Sequence, residues 1–107
     1  MIEIEFFQDD EGKEPFTQWF KGLKDAMARI KLRQRLDRME KGNFGDVEPV
    51  GKGVSETKIH YGPGYRIYFV DFNKKKILIL HGGDKSTQKK DIKMSQEYYK
   101  KYKLGEK

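Results

Sequence analysis

Residues 54–72 read VSETKIHYGPGYRIYFVDF, and residues 77–91 read ILILHGGDKSTQKKD. The first stretch holds two runs rich in β-branched and aromatic residues, separated by Gly62-Pro63-Gly64. Such side chains suit a pleated strand, and Gly and Pro set a turn, so the stretch predicts a β-hairpin. Ile59, Ile67 and Phe69 should share the buried face, because a one-residue slip would turn one set of side chains to solvent. An odd-length loop at Gly62–Gly64 meets that condition. It sets Ile59 opposite Ile67, Thr57 opposite Phe69, His60 opposite Arg66 and Lys58 opposite Tyr68. If Asn73-Lys74 forms a two-residue turn, the next strand carries His81 to a place opposite Arg66. A longer turn puts His81 on the buried face instead.

Outward from the hairpin, Met1 to Phe7 alternates Ile2, Ile4 and Phe6 with Glu3 and Glu5, the pattern of a half-buried strand. Asp9 to Gly12 forms a turn, and Pro15 opens a short helix carrying Phe16, Trp19 and Phe20. Gly22 marks a break or kink. A second helix then runs to about Lys41 on an apolar stripe of Leu23, Met27, Ile30, Leu36 and Met39, and Gly42 or Asn43 stops it. Phe44 to Val50 is a short strand or extended arm. Val54–Tyr61, Tyr65–Phe72 and Ile77–His81 are strands in meander order. Gln88 to Tyr102 forms a last helix, capped by Thr87 or Ser86, with Ile92, Ser95, Tyr99 and Tyr102 on one side. The expected fold class is α+β: an antiparallel β-sheet meander packed against an N-terminal helical hairpin, with a C-terminal helix, as one domain over residues 1–107.

Hydrophobic residues make up 36% and charged residues 37% of the chain, which implies a thin core and a heavily charged surface. Seven Phe, six Tyr and one Trp supply much of the burial and argue against disorder. No apolar run reaches the roughly 18 residues of a membrane span, and the acidic start MIEIEFFQDD has no signal-peptide pattern. With no cysteine there is no disulfide and no thiolate metal site. These features predict a soluble, cytoplasmic protein with no membrane partner. The net charge of +6 is unevenly placed: residues 1–72 carry 12 Lys and Arg against 13 Asp and Glu, and residues 73–107 carry 11 against 4. The basic last third reads either as a phosphate-binding surface or as a solvated lysine-rich helix. Lys24, Arg29, Lys31, Arg33, Arg35 and Arg38 on the second helix read first as a solvated face, and otherwise as a second contact with nucleic acid or a partner.

Lys58, His60, Arg66 and Tyr68 on one sheet surface suit a phosphate backbone. RNA cleavage without a metal needs a base for the ribose 2′-hydroxyl, an acid for the leaving 5′-oxygen and cations for the charge that builds on phosphorus. His60 and His81 fit the first two tasks. Arg66 fits phosphate as a fork, and Lys58 and Lys85 as point charges; Arg66 and Lys85 are expected on the surface. Ser86, Lys89 and Lys90 are candidate RNA contacts, and so is Tyr68, which reads first as a packing residue. Tyr98 and Tyr99 have helical spacing that suits core or rim, with one of them available to stack on a base. The GGDKS loop lacks the spacing of a nucleotide-binding P-loop, no residues have metal-ligand spacing, and no cofactor is expected.

The motifs GNFGD at 42–46, VSETKIHYGPGYRIYF at 54–69 and LILHGGDKSTQKKDI at 78–92, in this order of elements, resemble those of RelE/ParE superfamily toxins, and within them the HigB-like "addiction module killer protein" group. The resemblance covers nearly the whole chain. It implies a RelE-like fold and a type II toxin neutralised by a protein antitoxin, often one with a helix-turn-helix. RelE- and HigB-type members are metal-independent endoribonucleases that cut mRNA on the ribosome, whereas ParE-type members inhibit DNA gyrase without enzymatic activity. The HisxxxLys pattern before ThrGln corresponds to His81, Lys85, Thr87 and Gln88, with Ser86 where relatives usually have a second lysine. The arginine of the central strand corresponds to Arg66 and the basic position of the preceding strand to Lys58. The C-terminal catalytic tyrosine or histidine of some relatives has only Tyr98 and Tyr99 as candidate counterparts. A third reading is an antitoxin-binding protein whose catalytic surface has decayed.

Overall fold

The computed structural model describes residues 1–105. Its strands are β1 (Glu3–Phe6), β2 (Asp46–Gly51), β3 (Val54–Ile59), β4 (Tyr65–Phe72) and β5 (Lys76–Asp84). Its helices are α1 (Pro15–Lys21), α2 (Ala26–Glu40) and α3 (Gln88–Gly105), with a 3₁₀ turn at Lys85–Thr87. The α+β class is as expected, but the sheet is mixed. Its order is β1-β5-β4-β3-β2, and β1 runs parallel to β5, pairing Glu3 with Lys76 and Phe6 with Ile79. The antiparallel meander is confined to β2 through β5. After α1 and α2 the chain starts the meander at the far edge, so its last strand returns beside β1 in the same direction. Alternation of apolar residues carries no signal of strand direction.

Both faces of the sheet are covered. On one, Phe16 of α1 and Ala28, Leu32 and Met39 of α2 pack on Ile59, Ile67, Phe69, Ile77 and Ile79. On the other, Ile92, Tyr98, Tyr99 and Tyr102 of α3 pack on Val54, Tyr68, Val70, Leu78 and Leu80. This explains the unbroken buried run from Tyr65 to Val70 in the central strand. It also corrects the expectation of an open polar face, since α3 lies across much of it. The inward stripe of α2 is Ala28, Leu32, Arg35 and Met39 rather than one including Met27 and Ile30, which stay 47% exposed. Asp25 caps α2, accepting from the amides of Met27 (2.9 Å) and Ala28 (3.3 Å). Arg35 ties α2 to β3 by donating from Nη1 to Thr57 Oγ1 and to the Lys58 carbonyl. Among the described residues, no helix is long and apolar enough to cross a membrane.

The hairpin register is displaced by two residues from the expected one. Lys58 pairs with Arg66, Thr57 with Ile67 and Glu56 with Tyr68. Residues 60–64 form the connection, closed by Gly64 N–H to the Tyr61 carbonyl (3.0 Å). A two-residue displacement preserves every face assignment, because side chains alternate with period two. It does remove His60 from the strand and from Arg66. The next turn has three residues, 73–75, with Asn73 and Lys74 at φ 54° and 57°. A bulge follows between the pairs Phe69–Ile79 and Tyr68–His81. Leu80 is the extra residue, and both Leu80 and His81 contact the α3 side. His81 therefore stands opposite Tyr68, not opposite Arg66.

Strand β5 passes tightly between helices. A Cβ on Gly82 would lie 2.3 Å from the Trp19 ring, and one on Gly83 would lie 1.8 Å from Asp91 Oδ2. Gly82→Ala and Gly83→Ala should each destabilise the fold by about 1–3 kcal/mol through overpacking. Urea titration should show a lower midpoint with an unchanged slope. A wild-type midpoint in either variant would contradict this packing.

Candidate functional site

The site is built around a buried acid. Glu56 points from β3 toward α3 with 1% of its side chain exposed. A carboxylate so placed is costly unless several groups meet it. Gln88 Nε2 donates to its two oxygens at 3.1 and 3.3 Å. Arg66 Nε lies 3.6 Å from Oε1, and Lys58 Nζ lies 4.0 Å from Oε2 and 3.8 Å from Glu48. Arg66 also donates from Nη1 to the Gly64 carbonyl (3.0 Å) and is only 7% exposed, so it is not the free surface residue expected.

Lys85 reaches the same place from the β5–α3 junction. Its amide donates to the Pro63 carbonyl at 3.4 Å, fastening the 3₁₀ turn to the hairpin loop. Gly64, at φ +81°, lies between them: a Cβ there would be 3.7 Å from Arg66 Nη1 and 3.9 Å from Lys85 Cβ. Lys58, His60, Gly64, Arg66 and Lys85 together line a cleft of about 230 Å³. Lys85 is exposed and makes no ion pair among the described residues. His60 is exposed at the rim, where its Nε2 lies 2.7 Å from Asp46 Oδ2. That contact orients the ring.

His81 is held elsewhere. Its Nε2 lies 3.2 Å from Asp91 Oδ1, and Thr87 Oγ1 donates to Asp91 Oδ2 at 2.5 Å. The Tyr98 ring meets it edge-on. Burial pushes the His81 pKa down against the pull of Asp91. The two histidines therefore do not flank one arginine. Tyr68 is fully buried beneath α3. Its hydroxyl is held un-ionised first by burial and then by the negative charges of Glu56 and Asp91, so Tyr68 is a packing residue, as first read, and not an RNA contact. Tyr98 stacks on Phe7 and Tyr99 packs edge-on against Phe72, both within the second core. Lys89 and Lys90 are exposed at the start of α3. Asp84 caps the 3₁₀ turn that precedes α3, accepting from the Ser86 amide (2.8 Å) and hydroxyl (2.5 Å).

Sequence reading gave no role to Asp46, Glu56 and Asp91, and reached Gln88 only through the family pattern. Glu56 had a usable signal: it shares the parity of Lys58, Val70 and Tyr68, so it had to enter the same face. Among the described residues, no group of three or more His, Cys, Asp or Glu is placed to hold a metal ion.

The profile of the family described as "Phage derived protein Gp49-like (DUF891)" matches residues 18–103, which take in every residue of the cleft. The chain belongs to this family. An uncharacterized protein of Haemophilus influenzae is 44% identical over 80 residues, covering 75% of this chain and 81% of that protein. Gp49-like proteins are commonly toxins of toxin–antitoxin systems, and such a toxin implies an antitoxin partner.

Two outcomes follow from this geometry in the Gp49-like chain. Arg66→Ala strips a partner from the buried Glu56 and should cost about 3 kcal/mol. Lys85→Ala should change stability by less than about 0.5 kcal/mol. Equal urea midpoints for the two would contradict the buried pair. The lowered pKa of His81 means that the unfolded chain takes up a proton that the folded chain refuses. Its contribution is thus complete above the ordinary value of 6.5 and is lost as pH falls through the folded value. His81→Gln should flatten the loss of stability below about pH 6.5 in unfolding titrations. An unchanged acid limb would show that the group responsible lies elsewhere.

Proposed function

We propose that this chain is the toxin of a toxin–antitoxin pair and a RelE/HigB-type endoribonuclease that cuts mRNA on the ribosome. The observation that carries this reading is the convergence of Lys58, Arg66 and Lys85 on one cleft with an aspartate-oriented histidine at its rim. His60 takes the proton of the ribose 2′-hydroxyl. The 2′-oxygen then attacks phosphorus, forming a 2′,3′-cyclic phosphate as the bond to the 5′-oxygen breaks. Arg66 holds the non-bridging oxygens, with Lys58 beside it, and Lys85 gives a proton to the leaving 5′-oxygen. His81 supports the cleft through Asp91 instead of acting in the chemistry. The antitoxin, of helix-turn-helix type, covers the basic surface of α3 and the cleft with acidic residues, which both speeds capture and blocks phosphate access.

Expression without antitoxin should stop growth through loss of translation, with mRNA cut at ribosome-bound positions. Lys85→Ala, which leaves the fold stable, should abolish both effects. Cleavage of programmed ribosomes should leave 2′,3′-cyclic or 3′-phosphate ends and fail on mRNA carrying 2′-deoxyribose at the cut site. His60→Gln should lower the rate about 10²–10⁴-fold. Double-strand DNA breaks with intact mRNA would replace this reading with gyrase inhibition, and normal cutting of the deoxy substrate would remove the 2′-hydroxyl mechanism.

A further inference from the structure

The cleft does not end at His60. Ile59 and His60 also line a second groove, of about 240 Å³, which extends onto α2 past Lys31, Gln34 and Arg38 and includes the ring of Tyr61. Tyr61 is half-exposed and firmly held. Its amide donates to the Ile59 carbonyl (2.9 Å), and its carbonyl accepts from Gly64 (3.0 Å). Its hydroxyl donates to Asp25 Oδ2 (2.8 Å), the residue that caps α2. Tyr65 stacks on it at 6.5 Å with an interplanar angle of 20°, and Lys31 Nζ stands 5.3 Å from its centroid. Arg35 is committed to Thr57 and Lys58, which leaves Lys31 and Arg38 as the cations that can reach a ligand.

We infer that this second groove binds the nucleotide next to the scissile phosphate of single-stranded RNA, with its base stacked on Tyr61 and its phosphate met by Lys31 and Arg38. The inference rests on the ribonuclease reading and adds a base-binding subsite to it. Cations alone accept a phosphate anywhere along a chain; a fixed aromatic ring selects a position where an unpaired base offers its face. Tyr68, Tyr98 and Tyr99 are engaged in the second core, whereas Tyr61 lines the second groove beside His60. Lys31 has a long flexible stem and can move from the ring to the phosphate as a base slides in. The amide of Gln34 lies along the same groove, where it can meet the base edge.

The test uses the full chain and a 2′-O-methyl hexaribonucleotide, which cannot be cut by 2′-hydroxyl attack, followed by nuclear magnetic resonance. The ring protons of Tyr61 should move upfield in step with amide shifts at Lys58, Arg66 and Lys85. Tyr61→Ala should weaken binding by about 5- to 150-fold. Tyr61→Phe, which keeps the ring and loses the Asp25 bond, should restore most of the binding that Tyr61→Ala loses. Removing Lys31 and Arg38 should each lower the slope of log affinity against log salt by about 0.7. If the cleft amides shift while the Tyr61 ring does not, or if Tyr61→Ala binds normally, the subsite is wrong and the ribonuclease reading stands. If no resonance moves, the RNA reading itself falls and the subsite with it.

Discussion

The buried carboxylate of Glu56 is the constraint on which the arrangement depends. Several kcal/mol are lost when an ion of this size leaves water. A single charge partner at 3.6–4.0 Å returns roughly 4 kcal/mol in a protein surface environment. One partner is therefore not enough, and Glu56 has three: Arg66, Lys58 and Gln88. Arg66 and Lys58 lie on neighbouring strands in direct register, and Gln88 is the first residue of α3. Satisfying one acid thus fixes the cations of the cleft and the start of the helix that roofs the sheet.

Asp91 repeats the device one turn along α3. It sits in the first helical turn, where the helix dipole favours negative charge, and is met by Thr87 from the preceding 3₁₀ turn and His81 from β5. The aromatic packing of Tyr98, Tyr99 and Tyr102 supplies burial but tolerates sliding. Polar contacts between α3 and the sheet, among them Gln88 to Glu56, His81 to Asp91 and Gln96 Nε2 to the Val50 carbonyl (2.9 Å), do not tolerate it, and they set where α3 lies. Gly82 and Gly83 belong to the same arrangement, since any side chain at either would push α1 or α3 away. The HGGDKSTQ run is in this light a fastening between sheet and helix, of which Lys85 is the part turned toward solvent.

Period-two alternation was enough to assign Ile59, Ile67 and Phe69 to one face and Lys58, Arg66 and Tyr68 to the other. These assignments survived even though the register itself was displaced by two residues. Loop length was not legible in the same way. The residues Gly62-Pro63-Gly64 suit a three-residue loop, but tertiary bonds to Tyr61 and Lys85 draw five residues into the connection. The bulge at Leu80 has no local signature, and it alone decides that His81 faces Asp91. Cations were easy to nominate as site residues because they stand out on an apolar strand. Their acids were not: Asp46 and Asp91 lie far in sequence from His60 and His81, and Glu56, two residues from Lys58, acquires meaning only when the strands and α3 come together.

The position of the cleft follows from what α3 leaves uncovered. The helix closes the rows of Tyr68, Val70 and Leu78 completely, so the polar side chains there have no access to solvent. Only the row of Lys58 and Arg66, at the end of β3 and β4, meets an edge, and the loop 60–64 and the Lys85 turn converge on it. Three positive charges so placed repel one another. Glu56 offsets part of that repulsion from below, but it does not line the cleft, whereas Lys58, Arg66 and Lys85 do. The acid therefore holds the cations without presenting negative charge to an incoming group, and the imbalance it leaves is directed outward. Arg66 and Lys58 are held by Glu56 from below, and Lys85 is the cation of the cleft that makes no ion pair among the described residues.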